Sequence, residues 1–125
     1  LYAVGVPVIE LAHHTDNPHH DLSIRVSEVD ARGRSRNVTD GFRRYTGCSE
    51  DVVRIELDAI AHRFAAGTRI RVVVAGGSHP RFARNLGTGE PTETGQTLRP
   101  ATHTITHDDR SRLILPAGRP TPSAD

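Results

Sequence analysis

An all-β sandwich of the jelly-roll kind is the fold class predicted here, and three observations predict it. Apolar and polar side chains alternate with a period of two, and helix periodicity is nearly absent. Turn-forming residues punctuate the alternating runs at short intervals. With 4% aromatic residues and no Trp or Met, the core must come from Val, Ile, Leu and Ala, which suits strands.

Each run follows in order. The opening residues, through Leu11, read as a strand that Asp16-Asn17-Pro18 breaks from the next. Leu22, Ile24 and Val26 then face one side, with Ser23, Arg25 and Ser27 on the other. Asp30-Ala31-Arg32-Gly33 is a hairpin turn. After Thr46-Gly47-Cys48-Ser49, Val53, Ile55 and Leu57 repeat the scheme against Arg54, Glu56 and Asp58. Residues 58–66 are the best helix candidate, with Ala59, Ile60, Ala61, Phe64 and Ala65, but span only a turn or two. Ala65-Ala66-Gly67-Thr68 leads into Ile70, Val72 and Val74, whose second face also carries Val73 and Ala75 and predicts a central strand. A long polar loop covers residues 87–95, and Asp108-Asp109-Arg110-Ser111 is expected to close a final hairpin before Leu113 and Leu115. A sandwich domain over residues 1–118 and a disordered Pro-rich tail over 119–125 complete the expected organisation.

A chain of 125 residues fits one domain that buries roughly two-thirds of its unfolded surface. All sixteen basic residues are Arg, and fifteen acidic residues leave a net charge of +1, so no global field favours nucleic acid. The single Cys48 forms no internal disulfide, and no apolar run approaches the ~20 residues of a membrane span. The residues up to Leu11 lack a basic leader and a cleavage site, so a cytoplasmic location is expected for what reads as a fragment of a longer polypeptide.

Eight histidines raise the question of a metal. His13-His14 and His19-His20 flank the Asp16-Asn17-Pro18 turn, with Asp16 and Asp21 as further donors. Their spacing matches no zinc pattern and no Cys backs them, so solvated turn histidines are expected. His103 and His107 share a strand face with Ile105, as strand-edge packing does. Ser78 and His79 are adjacent on an extended strand and point to opposite faces, so they form no dyad. The Arg32–Arg36 and Arg81–Asn85 clusters lack stacking aromatics; Arg84 and Asn85 are expected to pin the long loop, and Asp40 to pair with a hairpin Arg. Gly87-Thr88-Gly89 has no helix start behind it to hold a phosphate, and Asn37-Val38-Thr39 is a chance glycosylation sequon. No catalytic, cofactor-binding or metal-binding residue is assigned, and no cofactor is expected.

Three blocks carry a resemblance. His62, Phe64, Gly67, Arg69, Ile70, Pro80, Phe82, Arg84, Asn85, Thr88 and Gly89 fit a pattern H-x-F-x-A-G-H-R-I, a strand, then S-x-x-F-P-x-[YF]-x-R-N-x-x-T-G. Asp30, Gly33, Arg34, Val38, Thr39, Asp40 and Gly41 fit a hairpin D-x-x-G-R-x-x-x-[LV]-[TC]-[DE]-G. His107-Asp108, Ser111 and Leu113-Ile114-Leu115-Pro116 fit H-D…P-S-x-L-x-L-P. In this order, over about residues 6–116, they resemble the C-terminal domain of serine hydrolases of the Xaa-Pro dipeptidyl-peptidase and cocaine-esterase type, which include bacterial acyl esterases. Gly76-Gly77, His79 and Ala83 depart from the pattern.

The resemblance implies a galactose-binding-domain-like jelly roll lacking its first strands. It implies a non-catalytic role, packing on an absent α/β-hydrolase domain and helping to shape the substrate cleft. The parent would be a serine hydrolase, a dipeptidyl-peptidase or esterase, while the fragment alone is no enzyme. Expected partners are that α/β-hydrolase domain and a second copy through exposed strand edges, with no nucleic acid and no membrane. The alternative is a stand-alone carbohydrate-binding module, which would need aromatic platforms from Tyr2, Tyr45, Phe42, Phe64 and Phe82.

Overall fold

A computed structural model describes residues 1–47, 50–76, 87 and 101–118. They form strands β1 (Tyr2–Gly5), β2 (Val8–Thr15), β3 (His20–Val29), β4 (Ser35–Tyr45), β5 (Val52–Glu56), β6 (Ile60–Arg63), β7 (Arg69–Ala75), β8 (His103–Thr106) and β9 (Arg112–Ile114). One sheet runs β5-β2-β8, with β9 also on β2, and a second runs β4-β3-β7. Their facing sides bury Ile9, Leu11, Val53 and Ile55 against Leu22, Ile24, Val26 and Tyr45, with Leu57 between. This is a β-sandwich, and its inward residues include Leu22, Ile24, Val26, Val53, Ile55 and Leu57, which the alternation placed inward.

The hairpin between β3 and β4 forms where Asp30 to Gly33 predicted it. The Asp30 carboxylate accepts from the backbone N–H of Arg32 and of Arg34, each at 2.9 Å, and from Arg34 Nε at 2.8 Å. Gly33 supplies the positive φ of 80° that the turn requires. Across the β3–β4 ladder Asp40 stands opposite Arg25. Gly41 explains the end of the same motif. A Cβ there would lie 2.6 Å from Leu57 Cδ2 and 3.2 Å from the Glu56 carbonyl oxygen, so a side chain would push β4 away from β5.

Three expectations need correction. The 58–66 segment contains no helix: β6 pairs antiparallel with β1, Ala3 opposite His62 and Gly5 opposite Ile60. Ile60, His62 and Phe64 point inward at a strand period, and pairing with a distant strand outweighs the helix propensity of the neighbouring alanines. Between Gly5–Ile60 and Val8–Glu56, three residues (57–59) oppose two (6–7), so β1–β6 continues the β2–β5 ribbon through a bulge.

Second, among the described residues the β7 run lies at a sheet edge. Among the described residues it pairs with β3 alone, and Ile70, Val72 and Val73 remain 37–43% exposed. Third, Asp108 to Ser111 closes no hairpin. β8 lies along Ala12–Thr15 and β9 along Val8–Glu10 on the same edge of β2, so they are one edge strand interrupted by residues 107–111. Ser111 ties that excursion down: its Oγ accepts from Ala12 N–H at 2.9 Å and donates to the Thr106 carbonyl.

Candidate functional site

The densest group of titratable side chains lies at the end of the sandwich where β2 turns into β3. His13 closes the inward face of β2, His20 opens β3 and His103 opens β8. Their ring centroids form a nearly equilateral triangle: 5.3 Å from His13 to His20, 5.2 Å from His13 to His103 and 5.4 Å from His20 to His103. Tyr45 stacks on His20 at 4.6 Å, and the Arg43 guanidinium lies 4.8 Å over the Tyr45 ring. His13 and His20 are buried, so the expected solvated state holds for exposed His14 but not for these two. Strand pairing turns His13 inward, and the Asn17 turn folds His20 back beside it.

Hydrogen bonding assigns the protons. His20 Nδ1 lies 2.9 Å from the Asn17 carbonyl oxygen; only an N–H can bond there, so His20 Nε2 carries the lone pair. His13 Nε2 and His103 Nδ1 are 2.9 Å apart and share one proton. Placing it on His13 leaves His13 Nδ1 as a bare acceptor, which costs less than a buried N–H without a partner. His13 Nδ1 and His20 Nε2 are buried with no hydrogen-bond partner. Burial, then the neighbouring His103, His20 and His14, lowers the His13 pKa to about 4. His20 and His103 are also held below the usual imidazole value, again chiefly by burial.

Asn17 links this cluster to the rest of the molecule. Its Oδ1 accepts from His19 N–H and its Nδ2 donates to the Gly87 carbonyl, each at 2.9 Å. Asp16 accepts from Thr102 N–H at 2.7 Å, which holds its carboxyl below the usual range. Sequence reasoning missed Asn17 as an anchor, although an Asx residue before Pro18 is the signal that could have found it. Arg84 and Asn85, expected to pin this loop, lie outside the described residues, as do Ser78, His79, Phe82 and Thr88-Gly89.

A second polar node explains a motif. The Glu28 carboxylate, nearly buried on β3, accepts from Ala65 N–H at 2.8 Å and from Thr68 Oγ1 at 2.9 Å, and His62 Nε2 lies 3.0 Å away. Those bonds, the Ala65 amide first, lower the Glu28 pKa. His62 and Phe64 meet edge to face at 4.6 Å, so the H-x-F pair fastens the β6–β7 connection to β3. Farther along, Asp21 receives a bidentate Arg44, both bonds 2.9 Å.

The remaining candidates are spread apart. Arg32, Arg34 and Arg36 are exposed on the hairpin, Asn37 is exposed on β4, and buried Thr39 donates to the Asp58 carbonyl at 2.8 Å. Tyr45 and Phe64 are buried, which removes them as sugar platforms. His107 follows the end of β8 and lines, with Ile9, Leu11, Val72, Ile105 and Leu113, an open cleft of about 360 Å³. That cleft runs along the flank between β7 and the β8/β9 edge.

Among the described residues no histidine side chain is hydrogen-bonded to a Ser, Thr or Cys side chain, and no group of three His, Cys, Asp or Glu is arranged to hold a metal ion. The His13 and His103 nitrogens face each other across a proton, where a metal site would aim them at a common point. Chemically, the cluster can hold neutral imidazoles out of water and respond to their protonation.

Comparison with curated proteins gives no match. Comparison with protein families matches residues 3–114 to the X-Pro dipeptidyl-peptidase C-terminal non-catalytic domain. That span takes in β2 to β9, all of β1 but Tyr2, and the three sequence blocks up to Ile114, and the chain therefore belongs to the family of X-Pro dipeptidyl-peptidase C-terminal non-catalytic domains.

Proposed function

We propose that this domain packs on an α/β-hydrolase domain of a serine hydrolase and helps to wall its substrate cleft, contributing no reacting group. The observation that carries this reading is the open flank of the sandwich. Val72, Ile105 and Leu113 line an apolar cleft there, and His107, Asp108, Ser111 and Arg112 rim it. An apolar centre with a polar rim is the anatomy of a protein interface. Ile70 and Val72 lie on the inward face of β7 and are still 41% and 37% exposed, so that flank has surface left to bury.

The test has two arms. The purified chain should show no turnover of p-nitrophenyl acetate or of an alanyl-prolyl p-nitroanilide above the buffer rate; turnover would overturn the non-catalytic reading. Added to the α/β-hydrolase domain of the same polypeptide, it should bind and change the KM for the dipeptidyl substrate, and the double substitution V72D/L113D should weaken binding about tenfold or more. Equal binding by that variant would move the interface elsewhere. Sedimentation of the isolated chain separates self-pairing of strand edges from this association.

A further inference from the structure

We propose that His13, His20 and His103 form an acid-sensitive clasp that fastens β8, with Thr102 and Gly87, to the β2–β3 turn and lets go when the cluster takes up a proton. The clasp joins residues far apart in sequence. Asn17 holds Gly87, Asp16 holds Thr102, and His103 lies beside Gly76, where a Cβ would sit 3.5 Å from its Nε2. The described contacts at Gly76, Gly87 and Thr102 thus meet the β2–β3 turn and its histidines.

A proton has no good place to go. On His13 Nδ1 or His20 Nε2 it would create a buried cationic N–H with no acceptor. On His103 Nδ1 it would abolish the bond to His13. Each ring also touches the other two, so one positive charge raises the cost of a second.

The surrounding charges do not offset this. From β2 and its turn, His14 is exposed and the Asp16 carboxylate is engaged by Thr102 N–H. From β3, Asp21 is held by Arg44. From β4, Arg43 and Arg44 are cations and Tyr45 presents a ring face. Beside β5, Asp51 reaches His13 through its backbone carbonyl, which accepts from the His13 N–H at 3.0 Å. The depressed imidazole basicities agree with this geometry.

Hydrogen–deuterium exchange of the 125-residue chain tests the clasp at about pH 7 and pH 5, corrected for intrinsic rates. Segments 12–20 and 101–106 should lose protection about tenfold relative to 22–29 and 52–56. Protection that stays constant, or falls equally in all four, would overturn the proposal. His20→Phe keeps a ring against Tyr45 but cannot be protonated, and should move the opening midpoint down by about half a pH unit or more. An unchanged midpoint would count against the clasp. Should that variant not fold, imidazole resonances of the unaltered chain decide: His13 and His20 should titrate together, below the ordinary imidazole value and in step with opening. Independent titration in the closed state near the ordinary value would sink the idea.

Discussion

The two flanks of the sandwich are built from similar aliphatic side chains but finished in opposite ways. On the β4–β5 flank, Gly41 lets the sheets close until Leu57, Glu56 and Ile55 fill the space a side chain would need. On the β7–β8/β9 flank, Val72 and Ile70 face inward yet stay partly in water, and Val72 lines a cleft of about 360 Å³. One flank is a finished core; the other is half of one. Inward-facing aliphatic residues stabilise a strand only where a second layer covers them.

A matched pair of truncations gives the largest expected contrast. Ile55→Ala, on the closed flank, should cost about 2–5 kcal/mol in urea unfolding. Ile70→Ala, its open-flank counterpart, should change stability by no more than about 0.5 kcal/mol. Equal losses would erase the distinction between the flanks. Gly41→Ala comes next, at about 1–3 kcal/mol from overpacking, read from the same denaturation curves. A silent substitution there would mean that Leu57 gives way freely.

The pH dependence sharpens the comparison along the other axis, between the ends of the strands. His13, His20 and His103 have folded pKa values below that of a free imidazole, so in moderate acid the unfolded chain binds more protons than the fold. Stability is therefore complete above about pH 6.5 and falls as pH drops toward about 4, the His13 value. The thermal midpoint should decline through that window. A midpoint flat from pH 7 to about 5 would contradict the neutral cluster. Glu28 should matter only at lower pH: its depressed carboxyl stabilises the fold when ionised, and that contribution goes as pH falls through its folded value. The smallest effect is expected from Arg34→Ala, whose ion pair with Asp30 is exposed and screened by water, so the urea midpoint should hardly move.

The Glu28 node and the histidine cluster teach the same lesson about buried polar groups. Glu28 meets donors from Ala65, Thr68 and His62, whereas the cluster leaves two ring nitrogens bare. The first is a fastening that acid must protonate to undo; the second already stands near its limit at neutral pH.

Much of this was legible in the residues. Alternation placed Leu22, Ile24, Val26, Val53, Ile55 and Leu57 inward, and Asp30 with Gly33 marked the hairpin, because side-chain direction on a strand and turn chemistry are local steric facts. The three motif blocks marked the family for the same reason: each is a contiguous piece of local structure with its own side-chain demands.

Position in the sandwich was another matter. Ile60, His62 and Phe64 carry a strand period, but only pairing with β1 turns an alanine-flanked stretch into β6. The Val72–Val73 pair reads as central, yet among the described residues β7 has only β3 as a neighbour, and β8 and β9 read as a hairpin until both are found on β2. His103 meets His13 across 90 positions of chain. The sequence by itself determined which faces are apolar and where the chain turns; the tertiary structure decided which edges meet, which flank stays open and which histidines lose their water. Those outcomes depend on contacts between distant segments, whose closure no local pattern encodes.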